Sequence, residues 1–229
     1  MAHSAQTYGG LQANIKTWCA RNDTDFVAQV PEFIHMAEQR IFYGSGDPHK
    51  SDPVRIRDMV ITEDALDFND TGAAFLPDDF LEQISLTWNS DFSVALRFLP
   101  SEEYHARNIF NAISSTDVPA VFTVDDNAVL VKPAIEGTAT FVYYARFPTL
   151  VADSDTNDLL LNYPSIYLKA SLIEAYGFIR NRDERTALLA EYVAAANGIS
   201  AQTRVSLEPA RFSPTIPGAD AVRREIIRG

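Results

Sequence analysis

From Asn162 to Arg180 the chain reads NYPSIYLKASLIEAYGFIR. Pro164 suits the first turn of a helix, where its missing N–H leaves no bond unmade, so Asn162-Tyr163-Pro164 closes one short helix and opens a longer one. Behind it Ile166, Leu168, Ala170, Leu172, Ile173, Tyr176 and Ile179 cover more than one face of a helix running to Arg180. A helix apolar on several sides is buried on several sides, within a domain or between subunits. The rest of the chain must supply what surrounds it.

Helices lie on both sides in sequence. Asn181 with Glu184 three residues on is a capping-box arrangement. It starts a long helix whose stripe is Leu188, Leu189, Tyr192, Val193, Ala196 and Ile199. Upstream, a short helix is capped by Thr156 or Asn157. At the N-terminal end, Leu11, Ile15, Trp18 and Cys19 mark one face of a helix from Tyr8 to Ala20, with Thr7 or Ser4 to cap it. After Arg21-Asn-Asp-Thr-Asp comes a helical stretch from Phe26 to Val30. Pro31 then opens the next helix, with Phe33, Ile34, Ala37 and Ile41 inward and Glu32, Glu38 and Arg40 outward. Gly44-Ser-Gly-Asp-Pro ends it.

Between Val54 and Phe147 the apolar period changes from 3.6 to 2. Strands are expected at Val54–Ile61, Leu81–Trp88, Val94–Phe98, Ala120–Val124, Ala128–Lys132 and Thr138–Arg146. Asp125-Asp126-Asn127 is a tight turn, since Asp and Asn tolerate positive φ. Pro100-Ser-Glu-Glu opens a short helix to Ile109, its acids against the positive end of the helix dipole. The same argument places Asp78-Asp79 in a helical first turn. Runs of helix, then sheet, then helix predict an α+β fold. The expected units are N-terminal bundle helices (1–52), a β-rich insert (53–150), C-terminal bundle helices (151–200) and an extended arm (201–229).

With 46% hydrophobic and 22% charged residues, 229 residues suffice for a core without disulfides, and the single Cys19 has no internal partner. One buried thiol fits a reducing compartment. No apolar run is long enough for a membrane helix, and the Met1-Ala-His-Ser start lacks a secretory pattern. Net charge is −12. A nucleic-acid grip normally carries the opposite sign, so no DNA-binding face is expected. Residues 201–229 differ, with five arginines against three acids, which leaves them at +2 and the body at −14. Their prolines and missing periodicity predict an arm without a core of its own. Extended, 29 residues reach roughly 95 Å at about 3.3 Å each.

No catalytic, cofactor-binding or metal constellation emerges. His3, His35, His49 and His105 are scattered, and phosphate cradles and nucleophile elbows are missing. Asp153-Ser-Asp-Thr-Asn-Asp158 starts like a calcium loop, but Asp158 stands where glycine is needed and Pro164 where the bidentate glutamate belongs.

Three ordered stretches carry a resemblance. The first is Leu11, Ile15, Trp18, Arg21 and Asp23, followed by Val30-Pro-Glu-Phe-Ile34 and Ala37-Glu-Gln-Arg-Ile41. The second is Leu76-Pro-Asp-Asp-Phe80-Leu81 and the strand to Trp88. The third is Tyr143-Tyr144, Pro148, Leu150, Thr156-Asn-Asp-Leu-Leu160, Tyr163-Pro164, Tyr167-Leu168, Ala170, Leu172 and Ala175, then Arg182-Asp-Glu-Arg185. Over residues 7–200 the chain resembles the head-to-tail adaptor (connector) proteins of tailed bacteriophages. The resemblance implies a helical bundle with a β-rich insert and no enzymatic activity. It implies a virion protein of the neck, assembled in the host cytoplasm. Copies would form a ring, typically of twelve, beneath the portal, linking it to a downstream tail protein while double-stranded DNA passes without specific binding. A portal contact is expected through the arm at Arg204, Arg211, Phe212, Val222, Arg223, Arg224, Ile226, Ile227 and Arg228. Arginine forks suit carboxylates, and the apolar residues would anchor. Two alternatives remain at this stage: another neck component, such as a stopper or head-completion protein, and a soluble ligand-binding module. Direct portal binding separates the first from the adaptor reading, and a ligand-induced melting shift would favour the second.

Overall fold

The computed structural model describes residues 6–44, 53–90, 93–106 and 118–207. The order is α1 (Tyr8–Trp18), α2 (Thr24–Tyr43), β1 (Val60–Phe68), β2 (Ala73–Phe75), β3 (Phe80–Trp88), β4 (Val94–Phe98), α3 (Ser101–Ala106), β5 (Val121–Asp125), β6 (Ala128–Lys132), β7 (Gly137–Ala145), α4 (Asp158–Asn162), α5 (Pro164–Ile179) and α6 (Arg182–Leu207). The protein is α+β.

The strands form one sheet in the order β1-β7-β3-β4-β5-β6-β2. Its ends, β1 and β2, lie near each other, so the sheet nearly closes on itself. Pairing is antiparallel except between β4 and β5, which are parallel and joined by a connection that includes α3. Inside lie Phe68, Leu86, Trp88, Phe122, Val129, Val131, Phe141 and Tyr143. Asp126 has φ 51° at the β5–β6 turn, as its side-chain chemistry predicts. Gly137 is required by space, because a Cβ there would meet the Trp88 ring at 2.5 Å.

The helices pack around α5, which touches α1, α2, α4 and α6. Ile166, Tyr167, Ala170, Leu172, Ile173 and Ala175 are all buried. Most of the apolar surface of this helix is thus covered within the chain, with Phe178 near its end left 46% exposed. Strand β7 joins the two cores by its pleat: Phe141, Tyr143 and Ala145 point into the sheet, and Tyr144 points into the helices.

Several expectations are corrected. Phe26–Val30 and the helix after Pro31 are one helix, capped by the Asp23 side chain at the Phe26 N–H. Phe26, Val30, Phe33, Ile34, Ala37 and Ile41 form a continuous buried stripe through the proline. That burial outweighs the roughly 3 kcal/mol of an interior proline. Pro31 is itself exposed, so water can take the carbonyl its ring leaves free. Val54–Ile61 is not a strand until Val60, since Val54, Ile56 and Met59 turn into the helical core instead. Strand β2 has no counterpart among the expected strands. Asp78-Asp79 form a turn leading into β3, not a helix. Trp18 is 60% exposed rather than part of the buried stripe. Helix α6 runs past Ser200 to Leu207, because Thr203 is buried one turn on from Ile199 and its hydroxyl donates to that residue's carbonyl. The far end of the helix expected to reach Ile109 lies outside the described residues.

Candidate functional site

Among the described residues no group of His, Cys, Asp and Glu is gathered as metal ligands, and no helix is long and apolar enough to cross a membrane. The polar chemistry collects in three places.

The first is buried beneath α2 and α5. Glu38, expected to face outward, is 6% exposed. It stands four residues after Ile34 and three before Ile41, which is the inner face. The Tyr167 hydroxyl donates to its carboxylate at 2.7 Å, and the Leu150 N–H also points at it. Asn157 donates to the Tyr167 oxygen at 3.1 Å while its own carbonyl oxygen caps α4 at the Leu160 N–H. Burial holds the Glu38 carboxyl above the ordinary range despite these bonds, and pushes the Tyr167 phenol far up. Above Glu38 opens a groove of about 290 Å³, lined among others by His35, Asp79, Arg146 and Thr149. Its carboxylates are engaged from within: Asp79 accepts the Tyr143 hydroxyl at 3.1 Å, and Arg146 donates to the Asp78 carbonyl. The expected outward Arg40 is also turned in, paired with Glu174 of α5.

The second is Arg55, a buried arginine at the joint between helices and sheet. Its Nη1 donates to the carbonyls of Phe42 and Val54 at 3.0 Å each, and its Nε donates to Glu82 of β3 at 2.9 Å. Its guanidinium lies over the Tyr144 ring, and its backbone N–H reaches Ser200 of α6. The sequence reading missed it, because an arginine in a strand-like run reads as a solvated face.

The third is the far end of the helices. Arg180, Arg182 and Arg185 line a cleft of about 240 Å³ with Tyr176, Gly177 and Asn181. Arg180 takes the left-handed conformation (φ 62°) that ends α5, and Asn181 receives the Glu184 N–H to start α6. Nearby Tyr176 donates to the Trp18 carbonyl, and Phe178, 46% exposed, packs on Phe26 and Phe33. Cys19 is half-buried, and burial raises its thiol to about 11, so it stays protonated near neutrality.

Other sequence features find structural uses. The Asp153–Asp158 loop lies against the start of α1, where Tyr8 and Gly9 donate to the Asp155 and Asp153 carbonyls. Asp155 binds the Val151 and Ala152 N–H groups, so that carboxylate is occupied by its own loop. His35 is exposed on α2, and His105 pairs with Asp125 at 2.8 Å. Of the expected arm residues, only Arg204 falls within the described backbone, near the end of α6. Arg211, Phe212, Val222, Arg223, Arg224, Ile226, Ile227 and Arg228 lie outside the described residues.

The three ordered stretches gain physical roles. Arg21 holds Asp23 in a two-pronged pair at 2.7 and 2.8 Å, which aims the cap of α2 and draws the Asp23 carboxyl below its usual range. Asp78-Asp79 anchor the end of β7 through Arg146 and Tyr143. Tyr144, Leu150, Leu159, Leu160, Tyr167, Ala170, Leu172 and Ala175 meet in one core. These are packing signatures in a fixed order. The model described as SU10 adaptor protein matches residues 6–216. No curated protein matches the chain. Covering nearly all the described elements and more than half the sequence, that match places the chain in the SU10 adaptor protein family, as a phage adaptor with a structural role in the virion.

Proposed function

We propose that the protein is a head-to-tail adaptor that assembles as a ring of twelve beneath the portal, joins it to the next tail or neck protein, and performs no catalysis. The family match over residues 6–216 carries this reading. The physical features agree with it. The residues of the three ordered stretches pack into one core, and the carboxylates of the groove above Glu38 are bound to the protein's own groups. A body of net charge −14 outside residues 201–229 suits a passage for DNA, since like charge discourages phosphates from adhering. That repulsion acts only within about 8 Å at physiological salt.

The segment after α6 is the portal-docking element in this proposal, with its arginines pairing to carboxylates and its Phe212, Val222, Ile226 and Ile227 as anchors. Because α6 extends to Leu207, a chain ending there removes the segment without cutting the helix. Mass measurement and electron microscopy of the full chain mixed with purified portal test the reading. The expected result is a symmetric ring on the portal, lost when the chain ends at Leu207. A complex with one copy per whole portal, or none, overturns it.

A further inference from the structure

At −12, copies of this chain repel one another, so a ring needs a local surface where opposite charges meet. Several cations of the body face a partner within the fold: Arg21 with Asp23, Arg40 with Glu174, Arg55 with Glu82, Lys169 with Glu191 and Lys132 on the Tyr104 carbonyl. The trio Arg180, Arg182 and Arg185 stands apart by its placement on one cleft. All three are exposed, none forms an ion pair among the described residues, and they converge on one cleft that no acid lines. Glu184, in the first turn of α6, acts electrostatically on Tyr176 at the cleft but is not among its lining residues, while Arg185 at i+3 from Arg182 stays on that residue's side. Exposed Trp18 and Phe178 occupy the same end of the helices. Arginine beside large aromatics is the composition of interface anchors.

The matching surface lies at the other end of the molecule. Strand β1 ends the strand order, hydrogen-bonded on one side only, to β7. Its Glu63, Asp64 and Asp67 are exposed, beside the 41% exposed Ile61, and none of the three carboxylates is ion-paired among the described residues. The two surfaces cannot meet within one chain. From Arg182 to Ser200, where α6 meets the segment leading into β1, is roughly 27 Å at 1.5 Å per residue, and β1 leads further away from that joint.

We propose that the cleft of Arg180, Arg182 and Arg185 binds carboxylates of the β1 edge of a second copy, as the charged contact between neighbours. Such a contact joins different faces of identical chains, the kind that closes into a ring when the rotation permits. It rests on the ring reading above. The arginine forks take carboxylates two-pronged, Trp18 and Phe178 shield the contact from water, and the fit is directional.

The test uses full-length protein with purified portal, reading the fraction of chain in complete rings by native mass measurement. One variant carries Arg180→Glu, Arg182→Glu and Arg185→Glu, a second carries Glu63→Lys, Asp64→Lys and Asp67→Lys, and a third carries all six. Each half-reversal should lower ring formation at least about tenfold, since like charges then face each other, and the sixfold swap should restore it. All chains should melt as the parent does. A milder Arg→Ala trio, expected to lose assembly by a smaller factor, guards against misfolding of the reversed one. If the parent forms no ring, the ring reading itself fails. If the parent forms rings and the half-reversals do as well, this contact alone is wrong. Loss with the arginine reversal that the sixfold swap does not repair assigns the cleft to another acidic surface, and overturns the β1 edge of a second copy as its occupant.

Discussion

The two cores of this protein are held in position by different means. Within the sheet the interior is almost entirely apolar, and Thr123 is buried with its hydroxyl unpartnered among the described residues. Within the helices the interior contains Glu38, Arg55, Asn157 and Ser171. A sheet fixes its own register, because every residue is committed by the backbone ladder, and a slip of one residue turns each side chain to the wrong face. Helices have no such ladder between them, and their ridges can settle in neighbouring grooves. Polar pins with directional partners set the helical register here: Arg40 to Glu174, Glu38 to Tyr167, and Arg55 to the sheet.

Removing the pin at the joint should have the largest effect. Arg55→Ala leaves the Phe42 and Val54 carbonyls without their donor and strips packing from Tyr144, and should cost about 3 kcal/mol in denaturant unfolding. Because Glu82 is half-exposed, water can replace that part of the interaction. An Arg55→Leu protein as stable as the parent would show that the joint needs volume and not direction.

Next comes a test on the sheet side, where shape rather than polarity decides. Gly137→Ala drives a methyl into the Trp88 ring and should cost about 2 kcal/mol through displaced packing. The tryptophan emission should shift with it, while helical content stays at the parental level. Unchanged emission and stability would mean that the ring has room to move, and the sheet interior is looser than its contacts indicate.

Asn157→Ala removes both a cap and a partner of Tyr167, and should cost about 1 kcal/mol. Asn157→Ser, which keeps a capping oxygen, should recover about half of that if the cap dominates. No recovery would give the larger share to the bond with Tyr167.

The smallest effect is expected at Glu38, and it depends on pH. Burial raises the folded-state pKa of this carboxyl above its unfolded value. Its protonated form therefore favours the fold below the ordinary glutamate range near about 4.3, and that contribution fades as pH rises through the raised value. Glu38→Gln retains an acceptor for Tyr167 without the charge. The variant should match or exceed the parent in melting temperature at pH 7.5, and lose the parent's gain as pH falls towards 5. A variant less stable at pH 7.5 would mean that the ionised carboxylate is itself the favoured partner of Tyr167.

Much of this arrangement was legible in the residues. The four-residue spacing of Leu11 and Ile15, the Pro164 helix start, a cap at Thr156 or Asn157 that falls to Asn157, the stripe from Leu188 to Ala196 and the Asp126 turn each follow from local rules, and the structure shows them. The errors share a cause. Pro31 stopped the helix on paper because local cost is visible in sequence, while the burial that offsets it is not. Glu38 and Arg40 were turned outward because charge signals solvent until a partner is known. Val54 and Ile56 alternate as a strand does, yet what they cover is the helical layer.

By itself the sequence determined the α+β class, the places where helices give way to strands, the acidic body against an arginine-bearing tail, and the ordered packing residues that mark an adaptor. These depend on periodicity, capping and composition, which are properties of neighbours along the chain. Only the tertiary structure decided that most of the apolar surface of α5 is covered within one chain, that Arg55 ties helices to sheet, and that three arginines converge where no acid lines the cleft. Those outcomes depend on residues far apart in sequence, and which of them meet is set by how the two cores pack.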